Sequence, residues 1–302
     1  MIIENPTTPL TEIFEPILQK KQVRLFVKRE DLTDHFISGN KWYKLKYNLI
    51  EAEKLGYKTL LTFGGAFSNH IHATAAAGKN FGFKTIGIIR GEEHLPLNPT
   101  LSSVKDNGML IEYIDRKSYR NKYNDELINK FKNKFGNFYL IPEGGSNNLA
   151  IKGCAEIIPT INEKFDFICS ACGTGGTLAG LILGLDSKSS ALGFSVLKGG
   201  DFLYQNIKTL LSNYQKENLN NWHINLDYHF GGYAKVSPQL IKFCNDFETQ
   251  HNIPIEPIYT GKMLYGLFDL IKNNYFLKNS SIIAIHSGGL QGLAGLKHRK
   301  II

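Results

Sequence analysis

Short apolar stretches alternate along the chain with longer segments in which apolar residues recur every three or four positions. The short stretches predict strands, and the longer periodicity predicts helices. The predicted strands are Thr59–Phe63, Thr85–Arg90, Met109–Ile114, Phe138–Pro142, Phe165–Ser170, Leu192–Leu197 and Ser281–His286. The predicted helices are Lys41–Lys54, Asn69–Asn80, Pro99–Asn107, Tyr123–Lys134, Ala150–Thr160, Thr177–Leu185, Pro238–Gln250 and Lys262–Lys272. This alternation indicates an α/β protein with parallel sheets covered on both faces.

Glycine-rich segments follow several of the predicted strands directly. They contain Gly64-Gly65, Gly144-Gly145, Gly173–Thr177 and Gly288-Gly289. In parallel α/β sheets, ligands bind just beyond the carboxyl ends of the strands. One such loop alone is compatible with a tight turn, but the four together indicate a site for a small molecule.

Composition and charge exclude several classes of protein. The 302 residues suffice for a large buried core, and 35 Lys and Arg against 27 Asp and Glu give a net charge of +8. The cations are scattered and no nucleic-acid-binding motif accompanies them, so we expect an anionic ligand rather than a nucleic acid. No apolar run approaches the roughly 18 residues of a membrane span, and no leader pattern opens the chain. We therefore expect a cytoplasmic protein without a membrane partner.

The cysteines and histidines do not form a metal or disulfide pattern. Cys169 and Cys172 form a CxxC, but there is no second CxxC and Cys169 ends an apolar strand pattern. His70 and His72 lack further ligands at suitable spacing, so no metal is expected.

The segment Gly173–Thr177 follows a predicted strand and opens a predicted helix. Its glycines allow backbone N–H groups to approach a phosphate, and the helix start adds partial positive charge. The segment matches neither the dinucleotide nor the Walker pattern, because Leu178 occupies the third glycine position and no Gly-Lys-Ser/Thr follows. A small phosphate cup is the functional interpretation, and a plain strand-to-helix turn is the structural one.

Two further helix starts carry candidate chemistry. Lys41 follows a short polar turn, where the positive helix end favours its neutral, nucleophilic amine, although most lysines are solvated surface residues. Ser68 and Asn69 precede a helix whose first N–H groups suit a carboxylate.

Several motifs together resemble one known family. The matching stretches are Lys28–Asp31, Gly39–Leu45, Gly64–His70, Asn98–Leu101, Ile141–Asn147, Gly173–Thr177, Pro257–Lys262 and His286–Leu290. Over about residues 5 to 293 the chain resembles the D-cysteine desulfhydrase and 1-aminocyclopropane-1-carboxylate (ACC) deaminase family of pyridoxal-phosphate enzymes. The resemblance implies the tryptophan-synthase β-like fold, or fold type II, with two open, twisted, largely parallel sheets and helices on both faces.

The resemblance also implies the residues that hold the cofactor. Lys41 matches the lysine that binds pyridoxal phosphate covalently, and Lys44 matches one that reaches its phosphate. Asn69 matches the residue that hydrogen-bonds the ring hydroxyl, and Ser287 is expected to contact the pyridine ring. The phosphate loop is matched by Gly173, Thr174, Gly175, Gly176 and Thr177.

Other residues are implied in catalysis and substrate binding. Lys41 would remove the substrate Cα proton. Ser68, with the N–H groups of Asn69 and His70, would bind the substrate carboxylate. Tyr259 and Tyr233 match active-site tyrosines 26 residues apart.

Two positions depart from the deaminase pattern, which has glutamate and leucine where this chain has Thr260 and Ser287. A hydroxyl near the ring nitrogen leaves that nitrogen largely neutral, so the cofactor withdraws electrons less strongly. We therefore expect β-elimination from D-cysteine, giving pyruvate, sulfide and ammonia, with Thr260 near the substrate. ACC deamination to 2-oxobutyrate is the alternative. The chain also looks shorter than typical members between Ser187 and Tyr228.

The expected architecture has two domains with the cofactor in the cleft between them. Residues 1–44 and 141–302 form the larger domain, and residues 45–140 form a smaller inserted one. The resemblance implies a homodimer. Two non-enzymatic alternatives remain: a protein that binds pyridoxal phosphate with little turnover, and a phosphate-ligand module without the cofactor.

Overall fold

The computed structural model describes residues 1–185, 189–214 and 219–302. Its strands are β1 (Leu10–Ile13), β2 (Arg24–Lys28), β3 (Thr59–Gly64), β4 (Lys84–Arg90), β5 (Leu110–Ile114), β6 (Tyr139–Ile141), β7 (Phe167–Cys172), β8 (Ser190–Ser195), β9 (Trp222–Asn225) and β10 (Ser281–Ile285). Residues 186–188 and 215–218, part of the region expected to be shortened, lie outside the description.

The helices cover the sheets and connect their strands. They are α1 (Pro16–Lys21), α2 (Asn40–Lys54), α3 (Asn69–Phe81), α4 (Pro99–Asp106), α5 (Arg116–Arg120), α6 (Asp125–Phe135), α7 (Asn148–Ala155), α8 (Gly176–Gly184), α9 (Phe202–Leu211), α10 (Pro238–His251), α11 (Thr260–Lys272) and α12 (Gly292–His298). None of the described helices has the length and apolar character needed to cross a membrane.

The strands form two sheets, as expected for fold type II. The larger sheet has the order β1-β2-β10-β7-β8-β9 and is parallel except for the antiparallel pair β1–β2. The smaller sheet has the order β5-β4-β3-β6 and is parallel throughout. Its strands lie between Thr59 and Ile141, close to the bounds expected for the inserted domain. The division into two domains stays a prediction.

Each sheet contains one point at which the strand order reverses. In the smaller sheet the chain moves outward from β3 to β5 and then returns to place β6 on the other side of β3. In the larger sheet it moves outward from β7 to β9 and then returns to place β10 between β7 and β2. Ligands bind at such reversals, outside the carboxyl ends of the strands. The loops after β3, β6, β7 and β10 are therefore where the topology predicts a site.

Side chains alternate between the two faces of the central strands and pack into different cores. Cys169 and Ala171 of β7 pack into one core, whereas Ile168 and Cys172 pack into another. All four cysteines of the chain are buried and free, and burial raises the pKa of the Cys172 thiol to about 12. The CxxC is therefore part of a strand and its packing, with protonated thiols.

Candidate active site

One cavity of about 620 Å³ lies at the ends of both sheets. The loops after β3, β6, β7 and β10 all contribute to its lining, together with the start of α2. Most of the residues that the sequence predicts for the site are found there. These are Lys41, Lys44, Ser68, Asn69, His70, Gly173, Thr174, Gly175, Thr177, Tyr233, Tyr259 and Ser287. Gly176 and Thr260 are not among the described lining residues.

The start of α8 forms a cup of backbone N–H groups. Its N-cap, Gly175, has φ +82° and offers no side chain to satisfy the first N–H groups of the helix. Those groups have no partner within a helix, so they remain available to an anion. An ideal Cβ at Gly175 would lie 2.9 Å from a side-chain carbon of Ile207. Both the backbone conformation and the space around it therefore require glycine.

Polar side chains surround this cup. Lys44 Nζ donates to the Gly144 carbonyl at 3.0 Å and to Ser146 Oγ at 3.3 Å. Ser146 Oγ lies 2.6 Å from Thr174 Oγ1. An ideal Cβ at Gly176 would be 3.3 Å from Lys44 Nζ, so the lysine lies directly beside the loop. A cation, two hydroxyls and a helix start together provide an environment for a dianionic phosphate.

Lys41 lies in the first turn of α2, close to the cup. Its Nζ donates to Asn40 Oδ1 at 2.7 Å, and Asn40 Nδ2 donates to Thr177 Oγ1 at 2.8 Å. Burial, and after it the positive charge of Lys44, lowers the pKa of Lys41 to about 7. A large fraction of Lys41 is therefore a neutral amine near neutral pH, the form that attacks a carbonyl carbon.

The start of α2 is fixed against the loop after β10. The Asn40 N–H donates to the Ser287 carbonyl at 3.2 Å. Gly39 has φ +69°, and an ideal Cβ there would lie only 1.9 Å from the Ser287 oxygen. This close backbone contact sets the position of Lys41 relative to Ser287.

The start of α3 lies across the cavity. Ser68 caps the helix by accepting from the Ile71 N–H at 3.3 Å, which leaves the first helical N–H groups free. Asn69 Oδ1 accepts from the Gln291 side chain. His70 Nε2 pairs with Thr62 Oγ1 at 2.8 Å, and its pKa is held well below the usual value by burial and then by the Lys41 and Lys44 charges. His70 is therefore neutral and is part of the scaffold of this helix start.

The two predicted tyrosines meet at the cavity. The ring centroids of Tyr233 and Tyr259 lie 5.9 Å apart in an edge-on arrangement. An ideal Cβ at Gly173 would lie 3.2 Å from the Tyr259 ring, so this tyrosine packs on the phosphate loop. Burial raises the pKa of Tyr259 well above its usual value, and proximity to Tyr233 adds to the shift. Desolvation in the cavity also raises the pKa of Tyr233, although 43% of this residue remains exposed, so both phenols are protonated near neutral pH.

Glu256 is a buried residue that the sequence interpretation missed. Its carboxylate accepts from the N–H groups of Ile258 at 2.6 Å, Tyr259 at 3.0 Å and Thr260 at 2.8 Å. Burial raises its pKa to about 7, whereas these hydrogen bonds act in the opposite direction. Thr260 is fully buried, and its hydroxyl has no partner among the described residues. In the sequence, the available signal for Glu256 was its position next to Pro257, a few residues before α11 begins at Thr260.

Comparison with known proteins establishes the family. A family model described as "Pyridoxal-phosphate dependent enzyme" matches residues 4–288. The chain belongs to this family of pyridoxal-phosphate dependent enzymes. The cofactor and the enzymatic nature expected from the sequence are thereby confirmed.

The names of individual relatives indicate a narrower group within this family. A protein of Pyrococcus abyssi named "Putative 1-aminocyclopropane-1-carboxylate deaminase" is 33% identical over 289 residues, covering 90% of this chain and 86% of that protein. The "Bifunctional D-cysteine desulfhydrase/1-aminocyclopropane-1-carboxylate deaminase, mitochondrial" of Arabidopsis thaliana is 32% identical over 292 residues, covering 89% and 73%. A solved structure described as an ACC deaminase homologue matches with a TM-score of 0.84 at 29% identity, covering 97% and 93%. This pyridoxal-phosphate enzyme thus falls in the ACC deaminase and D-cysteine desulfhydrase group.

The residues present fit pyridoxal phosphate. The uncapped start of α8 and Lys44 suit its phosphate, and Lys41 offers a neutral amine to its aldehyde. Asn69 and Ser287 line the same cavity and can hydrogen-bond to ring substituents. The loop after β7 and the loop after β10 are linked through Asn40, so both ends of one cofactor can be held at once.

Proposed function

We propose that this enzyme catalyses β-elimination from D-cysteine, with water giving pyruvate, ammonia and hydrogen sulfide. The reaction breaks the Cα–H and Cβ–S bonds, and the sulfur leaves with the electron pair of its bond and takes a proton. Water then replaces the nitrogen, which is released as ammonia. When bound, pyridoxal phosphate supplies the electron-withdrawing group that stabilises negative charge at Cα.

Lys41 is the group that moves the proton. Its neutral Nζ removes the Cα proton. The protonated amine can afterwards give a proton to the leaving group or to a carbon atom of the product. Asn40 Oδ1, 2.7 Å from Nζ, orients the lysine between proton transfers. Lys44 stays with the phosphate cup, so its positive charge keeps the pKa of Lys41 low.

The substrate carboxylate is proposed to bind at the start of α3. The N–H groups of Asn69 and His70 point out of the first helical turn, and the Ser68 hydroxyl is beside them. Tyr259 and Tyr233 are proposed to donate hydrogen bonds to the leaving sulfur. Their raised pKa values keep both phenols protonated, so each can stabilise the departing thiolate without losing its proton.

The observation that carries the choice of D-cysteine is the lack of a free carboxylate at the Thr260 and Ser287 positions. Among the described lining residues Glu143 is the acidic one, and Lys122 Nζ and the Tyr119 hydroxyl hold its carboxylate at 3.1 and 2.8 Å. Glu256 is close to Thr260 but is occupied by three N–H groups. A neutral ring nitrogen suffices to eliminate a good leaving group such as thiolate, but ring opening of ACC needs stronger electron withdrawal.

A substrate panel tests the proposal. Pyruvate, 2-oxobutyrate and sulfide are measured with D-cysteine, L-cysteine, D-serine, β-chloro-D-alanine and ACC, with Lys41→Ala as the inactive control. We expect sulfide and pyruvate from D-cysteine to exceed any 2-oxobutyrate from ACC. Faster conversion of ACC than of D-cysteine would show that our interpretation of Thr260 and Ser287 is wrong.

ACC deamination remains the second candidate, because relatives at 33% and 32% identity carry that name. On sequence grounds, the double change Thr260→Glu with Ser287→Leu should shift the balance toward ACC. In the structure that glutamate would be buried within reach of Glu256, which accepts the Thr260 N–H at 2.8 Å. Two carboxylates would then compete for one site, so Ser287→Leu alone is the cleaner probe.

Turnover also separates an enzyme from a protein that merely stores the cofactor. A cofactor absorbance band without product from any member of the panel would support storage. We also propose that the protein is a homodimer, that it has two domains and that it is located in the cytoplasm. Sedimentation, limited proteolysis between the two sheets and cell fractionation test them in turn.

A further inference from the structure

A cationic side chain at the cavity has no part in the chemistry described above. Arg90 ends β4 and lines the cavity. Its guanidinium lies over the Tyr119 ring, 5.6 Å from the centroid. No salt bridge or side-chain hydrogen bond of Arg90 is found in residues 1–185, 189–214 and 219–302. A guanidinium in a cavity without a partner is available to an anion.

Arg90 is adjacent to the proposed carboxylate site. An ideal Cβ at Gly65 would lie 3.7 Å from an Arg90 guanidinium nitrogen. The carbonyl of the same Gly65 accepts from the Ser68 N–H at 3.0 Å. The guanidinium and the start of α3 therefore flank one residue, and a single small molecule with two anionic groups can reach both.

The neighbouring charges leave Arg90 unneutralised. Glu143 also lines the cavity, but its carboxylate pairs with Lys122 Nζ at 3.1 Å and accepts from Tyr119 at 2.8 Å. A second guanidinium, that of Arg299, lies 4.9 Å from the centroid of Phe67, another lining residue. The surroundings of Phe67 and Tyr119 thus carry an excess of positive charge.

We propose that Arg90 extends the range of substrates beyond D-cysteine to amino acids whose leaving group ends in a second anionic group, a carboxylate or a phosphate, and favours these over their neutral isosteres. The α-carboxylate binds at the start of α3, and the distal anion binds the Arg90 guanidinium. The positive charge of Arg299, near Phe67, adds to the electrostatic attraction for the distal anion. This inference rests on the proposed elimination reaction and adds to D-cysteine a second class of substrate, in which the leaving group carries the distal anion.

Matched substrates test the selectivity directly. S-Carboxymethyl-D-cysteine is compared with its neutral isostere, S-carbamoylmethyl-D-cysteine, by pyruvate release, and O-phospho-D-serine distinguishes phosphate from carboxylate. We expect kcat/KM for the carboxymethyl substrate to exceed that for the isostere about tenfold, the value of one charge-assisted hydrogen bond. Arg90→Gln should reduce this ratio to about one, and Arg90→Lys should retain part of it. The exposed Arg116 provides the control, because Arg116→Gln should leave the ratio unchanged.

A binding measurement keeps the inference testable without turnover. Calorimetry of the holoenzyme should show tighter binding of succinate than of its monoamide, succinamate, and Arg90→Gln should abolish the difference. Equal binding of the two, or an unchanged preference in Arg90→Gln, would overturn the inference. A loss of pyridoxal-phosphate affinity in Arg90→Gln would also overturn it, since the arginine would then serve the cofactor. Failure of β-chloro-D-alanine to yield pyruvate contradicts only the elimination reaction.

Discussion

The cavity is bordered by two helix starts that are built differently. At the start of α8 the N-cap is a glycine with φ +82°, no side chain caps the helix, and Lys44 lies beside the loop. At the start of α3 the N-cap is Ser68, whose hydroxyl already accepts one N–H, and the local histidine is neutral. The first is suited to a permanent dianion and the second to a carboxylate that arrives and leaves with each turnover.

The difference shows how one protein can bind two anions with different residence times. Both helix starts offer the same backbone groups, so the side chains added to them decide affinity. At the start of α8, the glycine lets the backbone approach the anion closely, and the neighbouring lysine adds positive charge. A serine at α3 adds one hydroxyl, which accepts the Ile71 N–H and can donate its own O–H to a substrate oxygen. Substitutions that affect one start and not the other can therefore separate cofactor binding from substrate binding.

The largest expected effect is at Lys41, which lies between the two starts. Lys41→Ala should lower turnover by at least about 10²-fold, because it removes the general base, while the substituted protein folds normally. Pyruvate release from β-chloro-D-alanine measures turnover, and thermal unfolding measures the fold. Full activity in Lys41→Ala would refute the assignment of this residue.

Gly175→Val should weaken pyridoxal-phosphate binding by at least about tenfold, because a side chain blocks the approach of the backbone to phosphate. Gly56→Val is the matched control, since Gly56 also has positive φ but its Cβ would meet nothing within 4 Å. Both substitutions carry a similar backbone strain of about 1–2 kcal/mol. Fluorescence titration of the apoprotein with the cofactor should show a loss of affinity in Gly175→Val alone.

Ser68→Ala should raise KM for the amino acid several-fold and leave cofactor affinity unchanged. The control is Ser237→Ala, because Ser237 caps α10 by accepting from the Leu240 N–H at 3.2 Å. Each substitution removes a helix cap and should cost about 1 kcal/mol of unfolding free energy. An equal rise in KM for both variants would mean that Ser68 acts only through stability.

The smallest expected effect concerns the charge coupling between Lys44 and Lys41. The rate at which pyridoxal attaches to the apoprotein should rise with pH through a midpoint near 7, because the neutral amine of Lys41 is the reactive form. Lys44→Met removes a nearby positive charge, so the protonated form of Lys41 is favoured and the midpoint should move to higher pH. A downward shift would contradict the coupling. Absorbance at the cofactor band follows the reaction.

The sequence was informative wherever the local pattern and the tertiary structure agreed. β3, β4, β7 and β10 are continuous apolar runs because both faces of their sheets are buried, and they were predicted within a few residues. The edge strands β1 and β9 were missed, and so was β2, an inner strand whose Leu-Phe-Val run is buried. β1 reads Leu-Thr-Glu-Ile and β9 reads Trp-His-Ile-Asn, and pairing with a neighbour, rather than periodicity, makes them strands.

Helix ends and partners across the cavity were harder to predict. α7 ends at Ala155 rather than Thr160, and a separate 3₁₀ turn containing Pro159 follows it. Glycine loops and Lys41 were visible in the sequence because each is local. Arg90, which reaches the cavity from the end of a strand, depends on how β3 and β4 pair, and no local pattern marks it.

The contact between Gly39 and the loop after β10 restricts how this sequence can change over generations. An ideal Cβ at Gly39 would lie 1.9 Å from the Ser287 oxygen, and one at Gly288 would lie 3.0 Å from the Gly39 Cα. A side chain at Gly39 would therefore clash with the Ser287 carbonyl, and one at Gly288 would crowd Ser38 and the Gly39 backbone. A substitution at either position would clash with backbone atoms, so neither glycine can be replaced on its own. We expect lineages that keep Lys41 to keep both glycines, and lineages that lose the lysine to be freed of both constraints together.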